Sequence, residues 1–180
     1  MCQDCQDWCN RGKEAFLGNQ AIFYYNQAFR KWISDYKYQG DTRLASVMQR
    51  PLKQVYRAYR DYTWTYLPSS PKNLAKRGFT PVQLVLEGAG INTCQIFLYC
   101  GDNQAQAKKT KSQRLQLGPV FGLKEGVKID QKILIVDDVY TTGATLIQAK
   151  QCLMQAGVKT VKSLTLARDV MTDIGGLRMD

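Results

Sequence analysis

The stretch Ile133-Leu134-Ile135-Val136-Asp137-Asp138-Val139-Tyr140-Thr141-Thr142-Gly143-Ala144-Thr145-Leu146 decides how this chain reads. Lys132 to Val136 is a short, continuous apolar run, as expected of a strand buried on both faces of a sheet. The run ends on two adjacent carboxylates. A hydroxyl- and glycine-rich turn follows, and Thr142 to Ala156 predicts a helix closed by Gly157. A helix N-terminus carries free N–H groups and the positive end of the dipole, so it suits a phosphate. Thr141, Thr142 and Thr145 add hydroxyl donors, and Gly143 lets the backbone approach closely. Asp137 and Asp138 would repel that phosphate and suit hydroxyls or a hydrated divalent cation beside it. A diol on the acids and a phosphate in the turn describe a sugar phosphate. The position, at the carboxyl end of a parallel strand, is where open α/β sheets bind ligands.

Outward from this motif the periodicity alternates. Thr160 to Leu166 predicts a further strand; upstream, Thr63 to Leu67 is a strand stopped by the loop Pro68-Ser69-Ser70-Pro71. A basic stretch from Lys72 to Gly78, a helix from Pro81 to Glu87 and a second strand from Cys94 to Cys100 follow. Strands alternating with helices predict an α/β fold, a mostly parallel sheet flanked by helices. Ahead of it, Tyr25, Phe29, Trp32, Ile33 and Tyr36 recur at helical spacing and predict a helix of about 13 residues. Lys37 to Asp41 reads as a turn, with Asp41 or Thr42 capping a helix lined by Leu44, Val47 and Met48. Pro51 ends that helix or opens another, lined by Leu52, Val55, Tyr56 and Tyr59. The chain thus divides into a cysteine-bearing start (1–20), a helical segment packed on the core (21–61), the α/β domain (62–168) and a loose tail (169–180).

Composition bounds the chemistry. At 180 residues, 44% hydrophobic and 22% charged, the chain suits one well-buried domain. It has no histidine, which removes serine–histidine hydrolases, histidine-ligated metals and imidazole bases. No apolar run approaches the roughly 18 residues of a membrane helix. Met1-Cys2-Gln3-Asp4-Cys5 lacks the marks of a secretory leader, so a cytoplasmic chain without membrane insertion is expected. The net charge is +10, and residues 50–114 hold eleven basic groups against Asp61, Glu87 and Asp102. Such a field attracts nucleic acid or a small phosphorylated ligand, and it serves solubility as well. Gly101 to Leu117 is long enough for a mobile functional loop, with Lys108, Lys109, Lys111 and Arg114 as candidate phosphate contacts. Cys94, Cys100 and Cys152 read as buried thiols. Cys2 and Cys5, with Cys9 nearby, have the spacing of half a zinc knuckle, and idle thiols at a frayed terminus are the equal alternative.

The motif from Ile133 to Leu146 resembles the phosphoribosyl-pyrophosphate (PRPP) motif of type I phosphoribosyltransferases. The resemblance implies ribose hydroxyls on Asp137 and Asp138, the 5′-phosphate at Thr141, Thr142, Gly143, Ala144 and Thr145, and Mg2+ bound with PRPP. The pyrophosphate would lie against the loop Pro68, Ser69 and Ser70, with Arg77 nearby. Tyr36-Lys37-Tyr38-Gln39-Gly40-Asp41, Arg77-Gly78-Phe79 and Ser163-Leu164-Thr165-Leu166-Ala167-Arg168 are similar to the ComF family, of the ComFC type, over roughly residues 20–168. That likeness implies a type I phosphoribosyltransferase-like fold and a role in single-stranded DNA uptake during natural transformation. It also implies partnership with the competence helicase ComFA and the DNA-processing protein DprA. Family members begin with a four-cysteine zinc module whose second pair resembles Cys2 and Cys5. The first pair is absent, so the chain resembles an N-terminally shortened member, and Zn2+ is expected weakly or through a shared site. Leu67-Pro68-Ser69-Ser70-Pro71 stands where the family tends to Pro-Val-Pro, and Thr80 where asparagine is usual. Three functions stay open: a DNA-handling accessory factor, a working phosphoribosyltransferase and a PRPP-sensing regulator. Tyr140 could receive an acceptor base or simply pack at the strand end.

Overall fold

The computed structural model describes residues 18–101 and 120–169. Strand β1 (Asn19–Tyr24) leads into helix α1 (Gln27–Lys37), a 3-10 helix (Thr42–Met48) and α2 (Gln49–Ala58). Then come β2 (Thr63–Tyr66), α3 (Pro71–Arg77), α4 (Pro81–Gly88), β3 (Phe97–Tyr99) and β4 (Phe121–Leu123). The described residues finish with β5 (Lys132–Tyr140), α5 (Ala144–Gln155) and β6 (Thr160–Arg168). Strands β1, β6, β5 and β2, in that order, form a parallel sheet.

The apolar run of β5 is buried on both faces, as its composition requires. Leu134 and Val136 pack with Phe29, Ile33, Tyr36, Leu52, Val85 and Leu86 from α1, α2 and α4. Ile133 and Ile135 point the other way, onto Leu146, Ile147 and Leu153 of α5 and onto Phe97 and Phe121. Alternation at period two along one strand therefore holds two separate cores. The aromatic stripe of α1 is core, with Trp32 and Tyr36 stacked at 5.2 Å.

Several local expectations change. Asn19–Tyr24 is an edge strand, so the segment expected to be helical from residue 21 opens with strand residues. Asn19 explains its register: its amide donates to Thr165 Oγ1 at 3.1 Å and accepts from Ser163 Oγ at 2.8 Å. The strand expected over Cys94–Cys100 shortens to Phe97–Tyr99 and leaves the parallel sheet, pairing antiparallel with β4. The Cys94 amide instead bonds to the Trp64 carbonyl at 2.9 Å, fixing that segment beside β2 before β3 begins. The basic stretch Lys72–Gly78 is helix α3, capped by Ser70 and ended by Gly78 in the left-handed region. Asp41 caps the 3-10 helix and leaves Val47 exposed, and Pro51 sits in the first turn of α2, where its missing N–H costs nothing.

Candidate functional site

Strand β2 stops at Tyr66, which pairs with Val136, whereas β5 runs on to Tyr140 beside β6. The overshoot leaves Asp137 and Asp138 flanked by strand on one side only. A cavity of about 400 Å³ opens on the other side, at the carboxyl edge of the sheet. Its lining joins Asp137, Asp138 and Thr145 to Pro68, Ser69, Ser70 and Arg77, residues that sequence reading assigned to one ligand, and adds Asn73, which it did not. Tyr99, Val120 and Phe121 close the wall from the small sheet. Thr141, Thr142 and Ala144 are exposed on the turn itself, at the mouth of α5. Lys108, Lys109, Lys111 and Arg114, together with Cys2, Cys5 and Cys9, lie outside the described residues.

The turn is built around Gly143. Its φ is +75°, and a Cβ there would fall 2.4 Å from the Tyr140 hydroxyl. Any side chain would thus meet both backbone strain and a collision. Tyr140 is buried, with the Arg168 guanidinium 4.6 Å from its ring centroid. It packs under the turn instead of offering a face to an acceptor base. The α5 N-terminus has no acidic residue in its first turn, so its dipole is left for an anion.

The carboxylates differ from one another. Asp138 Oδ2 is ion-paired with Lys37 Nζ, and both side chains are more than four-fifths buried. Asp137 Oδ1 accepts the Asp138 backbone N–H at 2.8 Å. Burial, and next the negative charge of Asp138, push the Asp137 carboxyl up to about 7. The N–H bond and Lys37 pull the other way and lose. Near neutrality Asp137 therefore sits on the edge of taking up a proton.

Lys37 is the site residue that sequence reasoning missed. It is the last residue of α1, and the pair spans 101 positions of chain. The neighbours on either side hold it in place. Tyr36 is buried, donates its hydroxyl to the Pro81 carbonyl at 2.7 Å, and burial holds its phenol well above the usual value. The Tyr38 ring lies 5.4 Å beneath the Arg77 guanidinium. The only signal in the sequence was the run Tyr36–Asp41 as a motif, with no role attached. Ser70 has a structural duty as well: its hydroxyl accepts the Asn73 N–H at 3.2 Å and starts α3.

Among the described residues no three carboxylate or thiol groups converge as a metal cage. With Asp138 already on Lys37, the chain supplies the two acids of a shared site, the usual partners of a magnesium ion that arrives on substrate phosphates. Those two acids fit such an ion beside a bound pyrophosphate and would not hold one alone. A second concavity, about 500 Å³, shares no lining residue with the first and is formed by Ser46 of the 3-10 helix with Gln49, Arg50, Lys53, Gln54 and Arg57 of α2. No described helix is long and apolar enough to cross a membrane.

Comparison with known proteins agrees with this geometry. The phosphoribosyl transferase domain family matches residues 73–173. Competence protein ComFC of Streptococcus pneumoniae (strain ATCC BAA-255 / R6) is 40% identical over 167 residues, 93% of this chain and 74% of that protein. Competence protein ComFC of Bacillus subtilis (strain 168) is 29% identical over 174 residues, 93% of this chain and 72% of that protein. The matched domain takes in both acids, the turn and Arg77, whereas Lys37 precedes it.

Proposed function

This chain belongs to the ComFC competence-protein family and carries a phosphoribosyl transferase domain, and on that premise we propose that it handles single-stranded DNA during natural transformation while keeping a PRPP-type ribose-phosphate pocket. One observation carries the pocket: residues from 68–77, 137–138 and 145 line a single cavity at the carboxyl edge of the sheet. In this reading Asp137 and Asp138 accept the ribose hydroxyls, and the N–H groups and hydroxyls of the Thr141–Thr145 turn hold the 5′-phosphate. Arg77 faces the second phosphate group, with Ser69 and Ser70 as further donors. The chemistry that magnesium supplies when bound is charge neutralisation on the pyrophosphate. The DNA part of the reading is supported by the α2 groove, whose Arg50, Lys53 and Arg57 carry charge with no acid in the lining. ComFA and DprA belong to the same reading as its protein partners.

Transferase turnover is the second reading, favoured by retention of both acids and supported by a site that works through placement and electrostatics. An acceptor would have to enter without Tyr140, which is buried.

The test is thermal. PRPP with magnesium should stabilise the protein, by about 2.7 kcal/mol at a hundredfold excess over Kd. Replacing both acids, Asp137→Asn with Asp138→Asn, should abolish the shift and leave the free protein folded. A parent protein that shows no shift at millimolar PRPP refutes the pocket. Pyrophosphate release with candidate bases then separates turnover from binding.

A further inference from the structure

Two carboxylates at the mouth of a phosphate site create a problem that the cavity itself answers. An entering diphosphate would meet Asp137 and Asp138, and Arg77 alone cannot balance both. Lys37 supplies the missing charge from a different part of the chain, the C-terminal end of α1, where the helix dipole also favours a cation. With Lys37 the four charged groups cancel when all are ionised. Without it the same ionised groups leave the cavity with a net negative charge, which repels phosphate.

We propose that Lys37 is the built-in counter-cation of this pocket, bridging Asp138 to a ligand phosphate so that a ribose phosphate or pyrophosphate binds without a divalent ion. An ammonium has three donors, and one bond to Asp138 Oδ2 leaves two for acceptors in the cavity. The group is also preorganised. Tyr36 is anchored on the start of α4 and Tyr38 lies under Arg77, so three consecutive residues place both cations of the site. Ordering a lysine on arrival of the ligand costs rotamer entropy, and here that cost is met on folding. The proposal rests on the ribose-phosphate reading of the cavity and adds how its charge is balanced.

The experiment measures binding of inorganic pyrophosphate and ribose 5-phosphate by calorimetry, with EDTA and then with magnesium. The parent protein should bind in EDTA. Lys37→Met, similar in length and neutral, should lose at least about tenfold in EDTA, roughly 1.4 kcal/mol. It should recover part of that loss in magnesium, and Lys37→Arg should stay within a few-fold of the parent. The unliganded melting temperature of each variant separates folding from binding, and the metal dependence is a readout that a packing role would not move. Equal affinity of parent and Lys37→Met in EDTA overturns the role of Lys37 while leaving the pocket intact. A parent that binds only with magnesium also overturns it. A parent that binds neither probe in either buffer refutes the ribose-phosphate reading itself.

Discussion

The two concavities of this molecule use charge in opposite ways. The cavity at the sheet edge sets Lys37 and Arg77 against Asp137 and Asp138, with Lys37 next to the buried Tyr36 and Arg77 over the Tyr38 ring. The α2 groove sets Arg50, Lys53 and Arg57 against nothing: all three are exposed, and none has an ion-pair partner among the described residues. Balanced, buried charge discriminates, because a ligand must replace each interaction it disturbs. Unbalanced, solvated charge attracts any polyanion and is weakened by salt. One site suits a small ligand of defined stereochemistry and the other a backbone of repeated phosphates.

The sharpest way to separate them is pH. Burial pushes the folded Asp137 carboxyl up to about 7, against an ordinary value of 3.8 for the unfolded chain. The native state therefore binds the extra proton between those values, and the stability it brings is complete below about pH 4 and lost as pH rises through about 7. Relative to the parent, Asp137→Asn should be stabilised above that window by up to about 4 kcal/mol and unchanged below it. Chemical denaturation at pH 4 and pH 8 measures the difference. A difference that does not change with pH would place Asp137 in an ordinary solvated setting.

Gly143→Ala attacks the pocket through its backbone. Left-handed φ and the Tyr140 hydroxyl together predict a loss of about 2–3 kcal/mol in urea unfolding, with PRPP stabilisation lost as well. Binding of single-stranded DNA should survive it. The reverse variant, Arg50→Ala with Lys53→Ala and Arg57→Ala, should leave PRPP stabilisation untouched and flatten the log–log salt slope of DNA binding by about 2, if each residue meets one phosphate. Loss of PRPP binding in that variant would show that the two regions are one. The smallest effect belongs to Thr65, fully buried in β2 with no hydrogen-bond partner among the described residues for its hydroxyl. Thr65→Val should raise stability by about 1 kcal/mol and alter neither ligand, as a control on both arguments.

What could be read beforehand divides along the same line. The strand–acid–turn–helix unit is local: its apolar run, paired acids and glycine stand within fourteen positions, so pattern and structure coincide there. The α/β class with a parallel sheet follows from that unit and its flanks. Lys37 was illegible because its meaning depends on a contact across 101 positions, to which periodicity is blind. Strand β1 was missed for a related reason. NQAIFY lacks clean alternation, being an edge strand with irregular burial, and its pairing is dictated by Ser163 and Thr165 at the far end of the chain. Cys94–Cys100 looked like a sheet strand because apolar residues are needed there to cover α5, and short apolar runs do not reveal which sheet they join. The aromatic helix, by contrast, was legible from its spacing: Phe29, Ile33 and Tyr36 are core.

The pairing of β1 with β6 has a consequence for how the protein is made. Asn19 leaves the ribosome 144 residues before Ser163, the residue whose hydroxyl it accepts. At 5–20 residues per second, β1 waits roughly 7–30 s for β6, its only sheet neighbour among the described residues, to be synthesised. During that interval α1 and α2 present Ile33 and Leu52 with no complete sheet to cover them. The nascent chain therefore depends on β6 to close β1. Deletions that reach β6 should fail as whole-protein aggregation and not as a local defect, whichever of the two ligand regions they leave intact.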